Sequence, residues 1–335
     1  MIKIGIIGYG YWGPNVARNF NACQGAELVS ICDLNEKRLN LAKSHYPFIK
    51  AYSDPKDLIT SKDIDAVAVV TPVFTHYELA KLALENGKHT FVEKPFTSNA
   101  AQAEELIDLA AKKNLKIMVD HTFLFTGTVR KMREVIDSGE LGSLFFYDSV
   151  RVNLGLFQHD INVVWDLAPH DFSIMLYLID KEPTSVSAFG KKHFGNGLED
   201  MAYVVVHFHD DDFIAHFHCN WLSPVKIRNT LISGDKKMMV WDDLSSDEKV
   251  KIYDRGVEFK NTVGIHKLLV SYRSGDVYIP HINNTEALKM EADYFVECLE
   301  KNHKPFNDGE AGLKVVKILE AVDKSLKNDG KKIRL

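Results

Sequence analysis

An apolar run, Ile4-Gly5-Ile6-Ile7, opens directly into Gly8-Tyr9-Gly10-Tyr11-Trp12-Gly13, and this junction constrains the fold more than any other stretch of the chain. A GxGxxG is a weak signal alone. Placed after a strand and before a helical pattern, it reads as a strand–turn–helix that receives a dinucleotide pyrophosphate on the helix N-terminus. Gly8 permits the tight turn, Gly10 lets backbone approach the phosphates, and Gly13 lets helix and strand pack closely. Tyr9, Tyr11 and Trp12 complete the turn and are assigned to the cofactor site with the glycines.

Asp33 stands 20 residues past Gly13, at the end of a second apolar run. A carboxylate there accepts hydrogen bonds from both ribose hydroxyls and repels a 2′-phosphate, so NAD is favoured over NADP. Leu34 shares that loop. Arg38 is the residue that would instead accommodate a 2′-phosphate. The competing structural reading makes Asp33 a cap for the helix that starts near Asn35.

Strand runs at 3–7, 27–32, 66–70, 89–92 and 116–119 alternate with helical patterns at 13–22, 36–46, 75–86 and 100–113. Such alternation implies a parallel sheet covered by helices on both faces, a doubly wound α/β Rossmann domain over residues 1–122. The pattern then changes. Helices at 126–138 and 164–179 flank a β-rich stretch at 143–153. From 185 to about 280 strands follow one another, with turns at 195–197, 210–212 and 233–235. Helices at 286–301 and 310–328 close the chain. Residues 123–335 therefore read as an α+β substrate and oligomerisation domain with an open, mainly antiparallel sheet, its last helices packing back on the Rossmann domain.

The chain has 335 residues, 41 basic against 46 acidic, for a net charge of −5. This balance carries no built-in attraction for nucleic acid or anionic lipid. No apolar run reaches the roughly 18–20 residues of a membrane span. Four cysteines form no CxxC pair and no zinc spacing, which implies free thiols and a cytoplasmic protein. His207, His209, His216 and His218 alternate on two strands, but no cysteine pair or His-Glu motif completes a zinc signature, and no metal is expected.

Chemistry is expected at strand ends. Thr71-Pro72 ends the third run, with His76 near the following helix start. Glu93-Lys94-Pro95 ends the fourth. Proline holds the lysine backbone extended and aims it toward the cofactor crevice. Further on, Asp166 and His170 stand at i and i+4, on one face of a helix that is otherwise apolar.

Taken in order, these residues resemble the glucose–fructose oxidoreductase and inositol dehydrogenase family, Gfo/Idh/MocA. The resemblance runs from Gly8-x-Gly10-x-x-Gly13 with Trp12, through Asp33, Thr71-Pro72, His76 and Glu93-Lys94-Pro95, to Ser138-Gly139-x-Leu141-Gly142 and Asp166-x-x-x-His170. It implies that Lys94, Asp166 and His170 are catalytic, that Glu93 and Lys94 also border the cofactor, and that the chain forms dimers or tetramers through its second sheet. It implies hydride transfer between a secondary alcohol and NAD. Two segments depart from the family pattern: Asn162-Val163-Val164 replaces a common glycine pair, and His121-Thr122-Phe123-Leu124-Phe125 replaces an Asn-x-Arg-Phe-like segment. Both line the substrate side in relatives. Substrate candidates are Lys94, His121, Arg151, Asn153, His159 and His170, and Tyr147 is placed with Arg151, Asn153 and His159 to meet sugar hydroxyls or an anionic group. The expected substrate is a sugar or nucleotide sugar, as in nucleotide-sugar 3-dehydrogenases, with inositol or a free hexose as the alternative. A different class, the ligand-responsive regulator without turnover, has no need of an acid/base set.

Overall fold

The computed structural model describes residues 1–335 except 156, 157, 159, 195, 196, 210, 211 and 261–268. Two compact units emerge: Met1–Thr126 with Thr285–Glu320, and Gly127–Asn284 with Ala321–Leu335.

The first unit alternates β1 (Ile2–Ile7), α1 (Gly13–Asn21), β2 (Ala26–Cys32), α2 (Glu36–His45), β3 (Lys50–Tyr52), α3 (Pro55–Ile59), β4 (Ala66–Val69), α4 (His76–Glu85), β5 (His89–Glu93), α5 (Ala100–Lys113) and β6 (Ile117–Asp120). Its sheet runs β3-β2-β1-β4-β5-β6, and every neighbouring pair is parallel. The order reverses between β1 and β4, and ligands of open α/β sheets bind at that switch. β4 is Ala-Val-Ala-Val and buried throughout, as a strand covered on both faces must be. Asparagines punctuate the helices. Asn35 caps α2 by accepting from the N–H groups of Lys37 and Arg38, and Asn99 caps α5 by accepting from that of Gln102. Asn114 ends α5 in the left-handed region, at φ 53°.

The second unit holds α6 (Gly127–Asp137), β7 (Leu144–Leu154), α7 (Val163–Leu178), β8 (Pro183–Lys191), β9 (Met201–Phe208), β10 (Ile214–Asn220), β11 (Leu222–Gly234), β12 (Met238–Asp242), β13 (Val250–Lys260) and β14 (Leu269–Tyr278). The chain closes with α8 (Ala287–Glu300), α9 (Gly309–Leu326) and β15 (Ile333–Arg334). The second sheet runs β14-β13-β12-β11-β7-β10-β9-β8-β15. It is antiparallel except for the central β7–β10 pair, which is parallel. The expected turn at 233–235 joins β11 to β12, where the Gly234 N–H donates to the Lys237 carbonyl at 3.0 Å. The turns expected at 195–197 and 210–212 fall mostly outside the described residues.

β7 lies in the middle of this sheet, and α7 covers one of its faces. Tyr147, Ser149 and Arg151 lie on that face and are buried. Two expectations are corrected here. Tyr147 packs on Phe217, with ring centroids 5.6 Å apart, and Phe217 in turn meets Phe172 of α7. Arg151 donates from Nε and Nη2 to the two oxygens of Asp171, at 2.7 and 2.8 Å, with both side chains buried. Neither residue is displayed to a substrate. Strand alternation says that these residues share a face but not which face a helix covers.

Truncating one partner of a buried ion pair leaves the other charge uncompensated. Asp171→Ala is expected to lower stability by about 3–5 kcal/mol, read from the urea midpoint. A loss below about 1 kcal/mol, the range of an exposed pair, would contradict the buried pairing.

Candidate functional site

In the first unit the site forms where β1 meets α1. Gly8 adopts φ +98°, and a Cβ there would stand 2.1 Å from the Val70 carbonyl oxygen. A Cβ on Gly13 would stand 2.3 Å from the Gly8 carbonyl oxygen. Only glycine permits either approach. A Cβ on Gly10 would meet only the Arg38 guanidinium, at 3.5 Å. No side chain caps the N-terminus of α1; Pro14 carries no N–H and the Asn15 N–H donates to the Trp12 carbonyl at 2.9 Å, so what the helix start offers an anion is its positive dipole end and the main chain of the glycine turn.

Asp33 fixes the other half of the turn. Its Oδ2 accepts from the Tyr9 N–H at 2.7 Å and its Oδ1 from the Asn35 N–H at 2.8 Å. Arg38 Nη1 stands 3.9 Å from Oδ2. The helix-cap reading of Asp33 is displaced, because Asn35 caps α2. The Tyr9 ring is buried and its hydroxyl meets His45 Nδ1 at 3.0 Å, so only its main chain belongs to the turn. Tyr11 and Leu34 are 94% and 84% exposed at the turn. The helix start, the glycine approaches and the Asp33 carboxylate fit a dinucleotide.

His76 is fully buried. Its Nε2 lies 2.7 Å from the Thr71 carbonyl and its Nδ1 2.9 Å from the Pro95 carbonyl. It therefore ties the loop after β4 to the loop after β5 that carries Lys94. Burial lowers its pKa, against the raising effect of the two carbonyls. The Lys94-Pro95 bond is cis, and Lys94 is half-buried. The lysine charge acts on Glu93, His76 and His121. His121 is only 1% exposed, and burial pushes its pKa down to about 4, so the ring is neutral at physiological pH. That burial does not suit the direct substrate contact expected of it.

In the second unit, Asn162 caps α7 by accepting from the N–H groups of Val164 and Trp165. Asp166 and His170 share one helix face and are both half-buried. Trp221 Nε1 donates to Asp166 Oδ2 at 3.0 Å, and Ser173 Oγ donates to the His170 carbonyl at 2.8 Å. Pro169 sits inside the helix between them. Asn153 of β7 is half-buried, and His159 lies outside the described residues. Among the strand histidines, His216 Nδ1 meets Asp148 at 2.8 Å and the His218 ring stacks on Tyr203 at 4.3 Å. Among the described residues no group of three or more His, Cys, Asp or Glu side chains is placed to hold a metal ion.

Sequence reasoning missed three residues: Trp221, which holds Asp166, and Asp120 and Glu291, which lie buried in the first unit. Glu291 does carry a signal. It occupies the apolar stripe of α8 with Leu288, Ala292 and Phe295.

These features define a dinucleotide-binding protein of the doubly wound class. Residues 2–121 match the model of the oxidoreductase family with NAD-binding Rossmann fold, and residues 129–240 match the Gfo/Idh/MocA C-terminal domain. The chain belongs to the Gfo/Idh/MocA oxidoreductase family. It is 30% identical over 224 residues to a myo-inositol 2-dehydrogenase of Thermotoga maritima, a match covering 62% of this chain and 65% of the relative. It is 29% identical to a scyllo-inositol 2-dehydrogenase (NAD(+)) of Bacillus subtilis, over 57% of each. The chain thus spans about half to two-thirds of the length of these relatives. A solved UDP-N-acetylglucosamine 3-dehydrogenase from Acidithiobacillus ferrooxidans shares the fold, with TM-score 0.83 and 22% identity over 98% of this chain and 99% of that one.

Removing the Asp33 carboxylate takes away a charged acceptor. We expect Asp33→Ala to weaken NAD binding by about 1.5–3 kcal/mol, roughly tenfold or more in Kd, by titration calorimetry. An unchanged Kd would remove Asp33 from the cofactor site.

Proposed function

We propose that this protein is an NAD-dependent dehydrogenase acting on a secondary alcohol of a sugar, a nucleotide sugar or an inositol-type polyol. The observation that carries the reading is the coexistence of a dinucleotide turn, Lys94 at the end of β5, and the Asp166–His170 pair on α7. NAD, when bound, supplies the hydride acceptor. In the oxidation, His170 takes the hydroxyl proton as general base, since imidazole titrates near the working pH. Lys94 hydrogen-bonds the same oxygen and stabilises the developing alkoxide charge. Asp166, held by the Trp221 indole, orients the site and holds its positive charges in place. The inositol reading draws on the inositol dehydrogenases among the relatives, and the nucleotide-sugar reading on the fold shared with the UDP-N-acetylglucosamine 3-dehydrogenase. A regulator without turnover would not need this acid/base set.

We further propose a homodimer or homotetramer formed through the second sheet, whose exposed face presents Phe189, Tyr203 and Ile214. Four buried free cysteines support a cytoplasmic location. No helix of the described residues is long and apolar enough to cross a membrane.

The test is growth of reduced-nicotinamide absorbance with a panel of inositols, hexoses and nucleotide sugars. With the responding substrate, Lys94→Ala and His170→Ala should each lower kcat by about 10²–10⁴-fold. Near-normal turnover in both variants would sink the assignment.

A further inference from the structure

Three carboxyl side chains from three separate segments meet behind Lys94. Glu93 ends β5 and Asp120 ends β6, and the two residues are paired across the strands. Glu291 comes from α8 and is 0% exposed; Asp120 is 1% exposed. Asp120 lies within hydrogen-bonding reach of both glutamates. Carboxylates can stand that close only where a proton lies between them, because two like charges at that distance do not both persist.

The remaining partners say where the protons sit. Asp120 Oδ2 accepts from Trp12 Nε1 at 3.0 Å, and its Oδ1 accepts from the Thr122 hydroxyl. Both oxygens accept from these neighbours, and the contacts with the two glutamates are completed by protons that the glutamates donate. Glu291 Oε1 accepts from Asn307 Nδ2 at 3.1 Å, and that amide also donates to the Val119 carbonyl at 2.8 Å. Among the described residues, Glu93 Oε2 and Glu291 Oε2 have no ordinary donor. The Lys94 N–H reaches the Glu93 carboxyl. The groups therefore form a line, Glu291 to Asp120 to Glu93 to the Lys94 main chain, with the Trp12 indole of the cofactor turn joined at Asp120.

We propose that Glu291 is a positioning residue for Lys94 and the cofactor turn, acting through Asp120 and Glu93, and that Glu291 and Glu93 carry the protons that join them to Asp120. The Lys94 role rests on the dehydrogenase reading above; the shared protons do not. Burial and the neighbouring carboxylates push Glu93 and Glu291 well above the ordinary carboxyl range. Among the charged or titratable groups facing the cluster, Lys94 acts in the opposite sense on Glu93, and His121 beyond β6 is neutral. On α8, Lys289 pairs with Asp293, and Glu286 pairs with Arg18 of α1, all partly exposed.

The sign of the pH dependence follows. A carboxyl whose folded pKa is raised binds its proton more tightly folded than unfolded. Stability is then full below the ordinary carboxyl pKa and falls as pH rises toward the folded value. Glu291→Gln keeps a donor toward Asp120 and removes one titration.

The test follows Tm and NAD affinity from pH 5 to pH 10 in the wild type, Glu291→Gln and Glu291→Ala. The glutamine variant is expected to bind NAD within about twofold of wild type at pH 7, and its Tm should fall less steeply toward alkaline pH. The alanine variant is expected to lose about tenfold in NAD affinity, the worth of about one hydrogen bond to a charged group, with rescue by glutamine. Equal Tm losses for Glu291→Gln at pH 5 and pH 10 would overturn the shared protons. Failure of glutamine to rescue NAD affinity would overturn the positioning role. Infrared spectra of the wild type give an independent reading: a buried protonated-carboxyl band at pH 7 that fades in alkali is expected, and its absence refutes the proposal. The Tm and infrared readings need no substrate, so they stand or fall apart from the dehydrogenase reading.

Discussion

The first unit depends on two backbone approaches at the end of β1. Gly8 lies against the Val70 carbonyl and Gly13 against the Gly8 carbonyl, at distances where a Cβ would stand 2.1 and 2.3 Å from oxygen. These approaches let the chain leave β1, turn, and enter α1 beside β4, at the point where strand order reverses. The helix N-terminus therefore faces the switch point with no side-chain cap. Asp33 accepts the Tyr9 N–H and so binds the turn to the end of β2. The cofactor turn is thus held from both neighbouring strands, β2 through a carboxylate and β4 through close contact.

The two units treat buried charge differently. Arg151 and Asp171 form a bidentate pair, which satisfies both charges at once. The carboxyl cluster of the first unit takes hydrogen bonds from the Trp12 indole, the Thr122 hydroxyl, the Asn307 amide and the Lys94 main chain, and protons join its carboxyl groups to one another. A permanent ion pair suits a sheet–helix contact that only has to persist. Carboxyl groups that share protons remain responsive to pH, and here they join the strand end that carries Lys94 to the turn that carries Trp12.

Much of the first unit is readable from the chain because each central strand is buried on both faces and each helix has punctuation. β3 and α3 are not readable: three and five residues are too short to display a period, and α3 is marked by the cap at Asp54 and the proline that follows it alone. In the second sheet, alternation identifies the strands, but the parallel β7–β10 pairing is a choice between distant segments that no local pattern encodes. Arg151 and Tyr147 were misplaced for a related reason. A polar residue on a half-buried strand looks the same whether its face meets solvent or a helix, and here Asp171 of α7 supplied the missing partner.

The site follows the same logic at finer scale. Its glycines, Asp33 and Lys94 are legible because each acts through its own backbone setting, at a strand end or a helix start. His76 is legible as a residue of interest but not in its role, because the Thr71 and Pro95 carbonyls that fix it come from two different loops. Glu291 is the extreme case. Its position on an apolar stripe is visible, yet its meaning depends on Asp120 and Glu93, which lie 171 and 198 residues away in sequence. A carboxylate on an apolar stripe is costly unless something neutralises it. Where no basic side chain answers that cost, a proton must, and the partners that retain the proton are the residues to seek.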